Sequence, residues 1–420
     1  LNDNEKINFN RLVTGLQKQT GGYMRNLLIY VPKKITSYFA ITFFGVFSCF
    51  SANAYDPAKG LAVEAWTLAC TTSDSADCWS DPRNGEGARN STQYVPLTPE
   101  EVSKKWNLCV SFPHLKDSWW LAQNYGIIDE ARRLGVKVNL VEAGGYANPE
   151  TQITQVESCV AEGADAVIFA AISREGAVGL VDEIRGKGIP VIDYINGVAT
   201  KTDAKSLASY VAMGSITCGY VAEKHPKGSG AVKAAWLPGP PGAGWVMAGE
   251  KGCKMALENS DVELVHGGFG DTGKDVQFKL VEDVVQAHSS GGSTELDYII
   301  ANAPAIEGAV RIKRDRGFKD LKLVSWYITP GIDIAINRGH VDAAPSDQPV
   351  VSARIAVDQA VRILEGKPFA TGGAPSYGDE SRVSEHIGPL LSMIEAGDYA
   401  AFDKSTTLAP EDWKPVFQVD

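Results

Sequence analysis

The stretch AVIFAAISREGAVGLVDEIRGKGIPVIDYI, residues 166–195, decides the fold class. It opens with a continuous apolar run over 166–171, of the kind that buried parallel strands show. A helical segment over 176–187 follows, and a second β-branched run covers 189–195. A strand, a helix and a strand of these lengths predict a βαβ unit within a parallel sheet.

The same alternation continues on both sides of this stretch. Upstream, we predict strands at 108–112 and 136–142 and helices at 121–134 and 149–162. Downstream, we predict strands at 232–237, 262–269, 298–301 and 323–327, with helices near 245–258, 273–288, 305–316 and 331–338. So many units exceed one sheet of ordinary width. The predicted fold is therefore α/β, with two Rossmann-like domains joined by a hinge and a ligand cleft between them.

We predict four segments along the chain. Residues 1–54 combine an over-extended start with a signal peptide, and residues 55–105 form an N-terminal extension that packs along the first domain. Residues 106–212 and 340–420 form the first α/β domain with a C-terminal tail. Residues 213–339 form the second α/β domain.

The leader predicts export. Met24 opens a segment with three basic residues, and an apolar stretch over 35–50 follows. Ala52-Asn53-Ala54 then matches the small-x-small cleavage pattern, which predicts a mature start at Tyr55. A membrane anchor is the alternative, but the apolar run is shorter than the roughly 20 residues that a bilayer core needs. We expect an exported protein that is not embedded in the membrane after cleavage.

The composition excludes several function classes. A formal net charge of −11 argues against nucleic-acid binding, which favours basic stripes. Histidines are few and no C-x-x-C motif is present, so we expect no metal and no cofactor. Neither a nucleophile elbow nor a carboxylate pair points to an enzyme.

Cysteines are compatible with an oxidising compartment. Cys70 and Cys78 flank a polar loop and are the pair that we predict to form a disulfide. The remaining cysteines of the mature chain lie in apolar, strand-like or helix-like contexts, where small buried thiols are common. They are Cys109, Cys159, Cys218 and Cys253.

Open α/β sheets bind ligands beyond the carboxyl ends of their strands, so the loops after the strands are where a site is expected. These loops are rich in aromatic residues: Trp119, Trp120, Tyr146, Tyr210, Trp245, Trp326 and Tyr327. Each one alone is more simply explained by packing, and of the adjacent Trp119 and Trp120 one could cover the surface. The loop over 238–244 is glycine-rich but lacks the Lys-Ser/Thr of a phosphate-binding loop. Another post-strand loop, over 345–348, contributes Asp347.

Aromatic faces suit two ligand classes. Sugar rings stack on them, and methylated ammonium groups are attracted by cation–π interaction. Sugar sites also need many charged or amide groups for the hydroxyls, and the first-domain loops offer mainly Asp117 and Asn196. The balance therefore favours an ammonium ligand, while a sugar stays open.

Four segments resemble the TorT family, the periplasmic component of the trimethylamine N-oxide (TMAO) sensing system, within the periplasmic binding protein type I superfamily, which includes ribose-binding proteins. They are HLKDSWWLAQNYG (114–126), EAGGYANPETQ (142–152), LPGPPGAGW (237–245) and SWYITPG (325–331). The resemblance covers about residues 106–405. It implies two domains that close around the ligand.

The resemblance also implies a ligand set and a partner. TMAO would bind in an aromatic box at the positions that match the family, Trp119, Trp120, Tyr146 and Tyr327, with Tyr210 a weaker match and Asp117 in the same motif. Trp119 stands where Tyr is expected, and Tyr210 where Trp is expected, so the ligand could be another methylated amine. The ligand-bound protein would signal to a membrane histidine kinase. The alternative is the substrate-binding component of an ABC transporter for a sugar or another small solute.

Overall fold

A computed structural model describes residues 61–66, 89–370, 385–397, 399 and 402–420. The predicted leader over 1–54 and the predicted Cys70–Cys78 disulfide lie outside these residues. None of the helices in the described ranges has the length and the apolar character that crossing a bilayer requires.

Strands and helices alternate along the described chain. The strands are β1 (Leu61–Trp66), β2 (Arg89–Tyr94), β3 (Asn107–Phe112), β4 (Lys137–Glu142), β5 (Ala166–Phe169), β6 (Val191–Tyr194), β7 (Ala204–Ser206), β8 (Val232–Leu237), β9 (Val262–His266), β10 (Ser289–Ser290), β11 (Ser293–Thr294), β12 (Tyr298–Ala301), β13 (Lys322–Ser325), β14 (Ala343–Ser346), β15 (Glu385–Pro389), β16 (Ser392–Glu395) and β17 (Gln418–Val419). The helices are α1 (Ser118–Leu134), α2 (Pro149–Ala161), α3 (Val178–Gly186), α4 (Tyr210–Ala222), α5 (Gly244–Leu257), α6 (Lys274–Ala287), α7 (Ala303–Arg316), α8 (Pro330–Asn337) and α9 (Pro349–Leu364).

The strands form two main sheets. The first has the order β17-β4-β3-β5-β6-β7-β15-β1-β2, with a parallel centre from β4 to β15 and antiparallel pairing at both ends. The second has the order β16-β14-β13-β12-β8-β9 and is parallel except for β16. We call the first sheet with α1, α2, α3 and α9 the first lobe, and the second sheet with α4 to α8 the second lobe. The predicted fold class is confirmed.

The central strands are buried on both faces, which explains their continuous apolar sequence. Every residue of β5 and of β12 is buried. Two capped helices start directly after strands. Asp117 accepts a hydrogen bond from the backbone N of Trp120 at the start of α1, and Asn302 accepts one from that of Ala305 at the start of α7. These caps fix where the loops above the strands end.

The predicted domain limits differ from the limits of the two lobes in two places. β14 and β16 belong to the second sheet, although both fall in the segment 340–420 assigned to the first domain. The limit at residue 212 falls inside α4, which packs on α5 in the second lobe. The chain crosses between the lobes after β7, β14, β15 and β16, so a boundary drawn once near residue 340 cannot separate them.

The N-terminal extension contributes strands as well as an arm. β1 pairs with both β2 and β15 and so extends the first sheet. Beyond β2, the backbone N of Leu97 donates to Asp358 on α9 at 2.7 Å, and Arg362 of the same helix donates to the carbonyl of Val95 at 2.7 Å. The segment after β2 is thus fastened to the first lobe.

Two disulfides correct the expectation of free buried thiols. Cys109 on β3 is bonded to Cys159 on α2, with their Cα atoms 6.0 Å apart. Cys218 on α4 is bonded to Cys253 on α5, with a Cα separation of 5.0 Å. The apolar context was read correctly, but only the fold brings each pair within bonding distance.

Candidate functional site

The loops at the carboxyl ends of the two sheets enclose one cavity, which includes about 340 Å³ of space free of protein atoms, counting its opening to solvent. Its lining unites all eight residues that the sequence predicts for the site: Asp117, Trp119, Trp120, Tyr146, Tyr210, Trp245, Tyr327 and Asp347. Five further residues complete the lining: Ile195, Asn196, Met213, Thr272 and Trp326.

The start of α1 provides the first aromatic wall. Asp117 caps the helix by accepting from the backbone N of Trp120 at 3.0 Å, and Trp119 and Trp120 in its first turn line the cavity. The rings of Trp119 and Trp120 lie edge to face, with centroids 5.1 Å apart and an interplanar angle of 88°. Both side chains are buried, so neither covers the outer surface. Trp120 rests on Phe112 of β3, at 4.9 Å between centroids.

The second lobe provides the opposite wall. Trp245, at the start of α5, is stacked on Trp326 with centroids 5.1 Å apart and an angle of 21°. Tyr327 stands edge-on to Trp245 at 6.2 Å and lies 6.1 Å from Trp119 of the first lobe. Because β13 ends at Ser325, earlier than predicted, Trp326 and Tyr327 are loop residues rather than strand residues.

Tyr146 connects the two walls. It follows β4 in the first lobe, and its hydroxyl accepts from Trp245 Nε1 of the second lobe at 3.2 Å. The same hydroxyl donates to Asn196 Oδ1 at 3.5 Å, while Asn196 Nδ2 donates to the carbonyl of Ala171 at 2.7 Å. Burial raises the pKa of Tyr146 far above its usual range, so the phenol stays a neutral donor.

A second set of contacts between the lobes lies beside the cavity. His114 Nδ1 accepts from the backbone N of Lys116 at 3.2 Å, which leaves Nε2 to donate to Thr272 Oγ1 at 3.0 Å. Thr272 in turn hydrogen-bonds Asp117. Burial lowers the pKa of His114, so the imidazole is neutral near pH 7. Asp271, next to Thr272, accepts from the backbone N of Tyr146 at 3.3 Å.

Gly244, the first residue of α5, lies at a close approach of the two lobes. A Cβ atom built on it would be 2.3 Å from the carbonyl oxygen of Asn196 in the first lobe, well inside van der Waals contact. Only glycine permits this approach. The described arrangement is therefore a closed one, in which both walls face the same small volume.

Two carboxyl groups line the cavity, and the lining contains no lysine, arginine or histidine. Burial raises the pKa of Asp117, against the opposing effects of His114 and of backbone hydrogen bonds. Burial also raises the pKa of Asp347 to about 6, although its Oδ1 accepts from Trp119 Nε1 at 3.2 Å. The cavity combines aromatic faces with negative potential, a combination that attracts cations.

Sequence reasoning identified the aromatic residues because their loops follow predicted strands. It missed Thr272, Met213 and Ile195, and it missed His114 behind the cavity as a contact between the lobes. These residues belong to no motif, and their place depends on how the two lobes meet. Thr272 follows a strand that was predicted three residues too long, to Phe269 rather than His266, which concealed the loop.

The chain that forms this site is similar to known periplasmic proteins. A family model described as periplasmic binding protein domain matches residues 108–368. The periplasmic protein TorT of Escherichia coli K12 is 29% identical over 327 residues, which cover 76% of this chain and 86% of TorT. This chain is thus similar to TorT over most of its length.

Two solved structures are also similar to this chain. A solute-binding protein of an ABC transporter from Bradyrhizobium sp., with bound bis-tris, is 42% identical and superposes with a TM-score of 0.66, covering 84% of this chain and 98% of that one. A complex of the TorS sensor domain with TorT in the presence of TMAO contains a chain that is 29% identical, with a TM-score of 0.63 and coverage of 74% and 99%.

Proposed function

Because the chain belongs to the periplasmic binding protein domain family, and within it to the TorT family, we propose that it is a periplasmic receptor for a small methylated amine. TMAO is the first candidate ligand. The protein closes on the ligand and signals to a membrane histidine kinase. The aromatic enclosure is the observation that carries the proposal. Trp119 and Trp120 form one wall, and Trp245 and Tyr327 form the other. Methyl groups on a positive nitrogen match such faces in size and in charge.

The ligand is held by contacts from both lobes, which favours closing. Aromatic faces attract the nitrogen and its methyl groups, and this attraction strengthens when water is excluded. The buried hydroxyl of Tyr146 and the amide of Asn196 are polar groups of the kind that orients a ligand oxygen. Binding without turnover is expected, so the protein acts as a receptor and not as an enzyme.

The signal follows from the same closing motion. Domain closure about a hinge is a common response of binding proteins to ligand. If the kinase binds the closed form better, ligand and kinase favour the same state, and each raises the affinity for the other by the same factor. The TorS–TorT complex supports this partner class.

The second candidate is a transport receptor. The Bradyrhizobium relative, which has the higher identity, is named as a solute-binding protein of an ABC transporter. Its bound bis-tris is a tertiary amine that carries hydroxyl groups, so an amine ligand fits this alternative as well. The two candidates differ in the partner of the closed form and share the cavity.

Titration calorimetry tests the ligand. Protein purified from the periplasm is titrated with TMAO, glycine betaine and ribose. We expect heat from TMAO, loss of this heat in Trp120→Ala, and no such loss in Trp413→Ala, whose ring packs on Tyr125 away from the cavity. Heat from ribose with none from any amine would contradict the proposed ligand class.

A binding assay tests the partner. A sensor domain of the TorS type is immobilised, and the receptor is passed over it with and without TMAO. Tighter binding with TMAO is expected. Retention by a permease instead, with no measurable binding to the sensor domain, would favour the transport receptor.

A further inference from the structure

Asp347 is a buried carboxylate with no cationic partner among the described residues. It follows β14 and is only 1% exposed. Its hydrogen bond from Trp119 Nε1 at 3.2 Å comes from a neutral donor. No lysine, arginine or histidine among the described residues comes within 4.0 Å of its carboxyl oxygens, the distance that defines an ion pair.

Other buried carboxylates show how this chain normally compensates such a charge. Asp193 is paired with Lys205. Asp358 is paired with Arg362, and Glu130 with Arg133. A buried charge without a partner is costly, and proteins rarely keep one that serves no purpose. Asp347 lines the cavity, whereas Asp193, Asp358 and Glu130 do not.

The groups that face Asp347 are neutral. Trp119 approaches it from α1, Tyr194 from β6 and Tyr327 from the loop after β13, and burial raises the pKa of both tyrosines well above their usual range. Asp117, the other carboxyl of the lining, has its oxygens engaged by the helix cap and by Thr272. A positive charge for Asp347 must therefore come from the ligand.

We propose that Asp347 is the counter-ion of the ligand, so that this site prefers a net cation, a quaternary or a protonated tertiary ammonium, to the neutral TMAO molecule. This inference rests on the proposed function, because it concerns the same cavity. It narrows the substrate class from methylated amines in general to cationic ones. TMAO has a negative oxygen beside its positive nitrogen, so it gains less from a carboxylate than a full cation does.

Two ligand pairs isolate the effect of charge. Tetramethylammonium differs from TMAO only by a methyl group in place of oxygen, and it carries a net charge of the kind proposed. Choline and glycine betaine are a second pair, cation against zwitterion. All four are titrated at pH 7.5 into wild-type protein and into Asp347→Asn, in which Trp119 keeps its acceptor.

We expect wild-type protein to bind each cation at least about tenfold more tightly than its partner molecule. Asp347→Asn should lose most of this preference while its affinity for TMAO changes by less than about threefold. Asp182→Asn is the matched control. Asp182 is an exposed residue of α3 whose carboxylate accepts a hydrogen bond from Thr200, so this variant should leave every affinity unchanged. A thermal melt of Asp347→Asn at or above that of wild type shows that the variant folds.

The results separate this inference from the proposed function. If TMAO binds as tightly as tetramethylammonium, or if Asp347→Asn weakens both to the same degree, the counter-ion role is wrong and the amine receptor stands. If no amine of either charge binds, the proposed function fails, and the inference fails with it.

Discussion

Asp347 shows at the scale of one residue how binding and stability oppose each other. Its pKa is raised from 3.8 to about 6 in the folded protein, because burial disfavours the charged form. The folded state therefore holds the proton more tightly than the unfolded state does. This favourable contribution is complete below the unfolded value and is lost as the pH rises to about 6. Above that pH, the charge costs on the order of 3 kcal/mol.

Asp347→Asn should accordingly stabilise the ligand-free protein at pH 7.5, by on the order of 1–3 kcal/mol. The gain over wild type should shrink as the pH falls toward 4, where the wild-type carboxyl is also neutral in the folded state. Denaturant unfolding of both proteins at the two pH values measures the difference. Equal stability at pH 7.5 would mean that Asp347 is not buried as a charge.

Gly244 is a second single residue with a direct effect on ligand binding, because its lack of a side chain lets the two lobes close. In Gly244→Ala, the added Cβ would meet the carbonyl of Asn196 at 2.3 Å, so the lobes cannot close fully. Overpacking of this kind costs about 1–3 kcal/mol, which predicts at least about a fivefold loss of ligand affinity. Calorimetry measures the loss. Gly219→Ala on α4 is the control, since its Cβ has open space, and an equal effect of both variants would refute the role of closing.

At the scale of elements, α4 and α5 form the most tightly packed helix pair of the second lobe. A Cβ on Gly252 of α5 would lie 1.8 Å from the carbonyl oxygen of Val211 on α4, so the two backbones are in direct contact. Cys218–Cys253 joins the same helices. α4 carries Tyr210 and Met213 and α5 carries Trp245, so this pair positions three residues of the lining.

Replacing both cysteines by serine, Cys218→Ser with Cys253→Ser, should lower the free energy of unfolding by about 2–4 kcal/mol, because the cross-link restricts a long loop in the unfolded chain. Denaturant unfolding measures this. Peptide mapping without reductant first checks the bond in wild type, and alkylation of both residues there would refute the pairing.

The elements that could be predicted from the sequence are those with a clear period. β8 and β12 have the predicted bounds, because β12 is a continuous apolar run and β8 is one apart from Lys233. α9 was not predicted, although Arg354, Asp358 and Arg362 recur at helical spacing in its sequence; the structure buries this polar stripe together with nearly all other residues of the helix. β2, RNSTQY, was missed because its polar sequence lacks alternation.

The features of the site also fall into those that could be predicted from the sequence and those that could not. Aromatic residues in loops after strands were predictable, because the carboxyl ends of parallel strands meet at one edge of a sheet. The disulfides and the hydrogen bond from His114 to Thr272 were not, since they depend on distances between segments far apart in the chain. Asp347 was predicted from its loop, but its lack of a cationic partner is visible only in the structure.

At the scale of the whole molecule, the two lobes meet through side chains that also surround the cavity. Trp245 bonds Tyr146, and Thr272 bonds His114. The backbone of Tyr146 also bonds Asp271. Because these contacts join the lobes around the cavity, we expect ligand binding and contact between the lobes to be one event.

Hydrogen exchange should show this coupling. An amine ligand at about 100 times its Kd should stabilise the protein by about 2.7 kcal/mol. Its addition should slow exchange both in residues 143–148 of the first lobe and in residues 267–273 of the second. Slower exchange in one lobe alone would mean that the ligand binds without closing.

A crystal structure with bound tetramethylammonium tests the central claim most directly, that the aromatic cavity holds an ammonium ligand. We predict the nitrogen within about 6 Å of the ring centroids of Trp119, Trp120 and Trp245, with Asp347 as the nearest charged side chain. Ligand bound outside the cavity, or an empty cavity at saturating concentration, would contradict it.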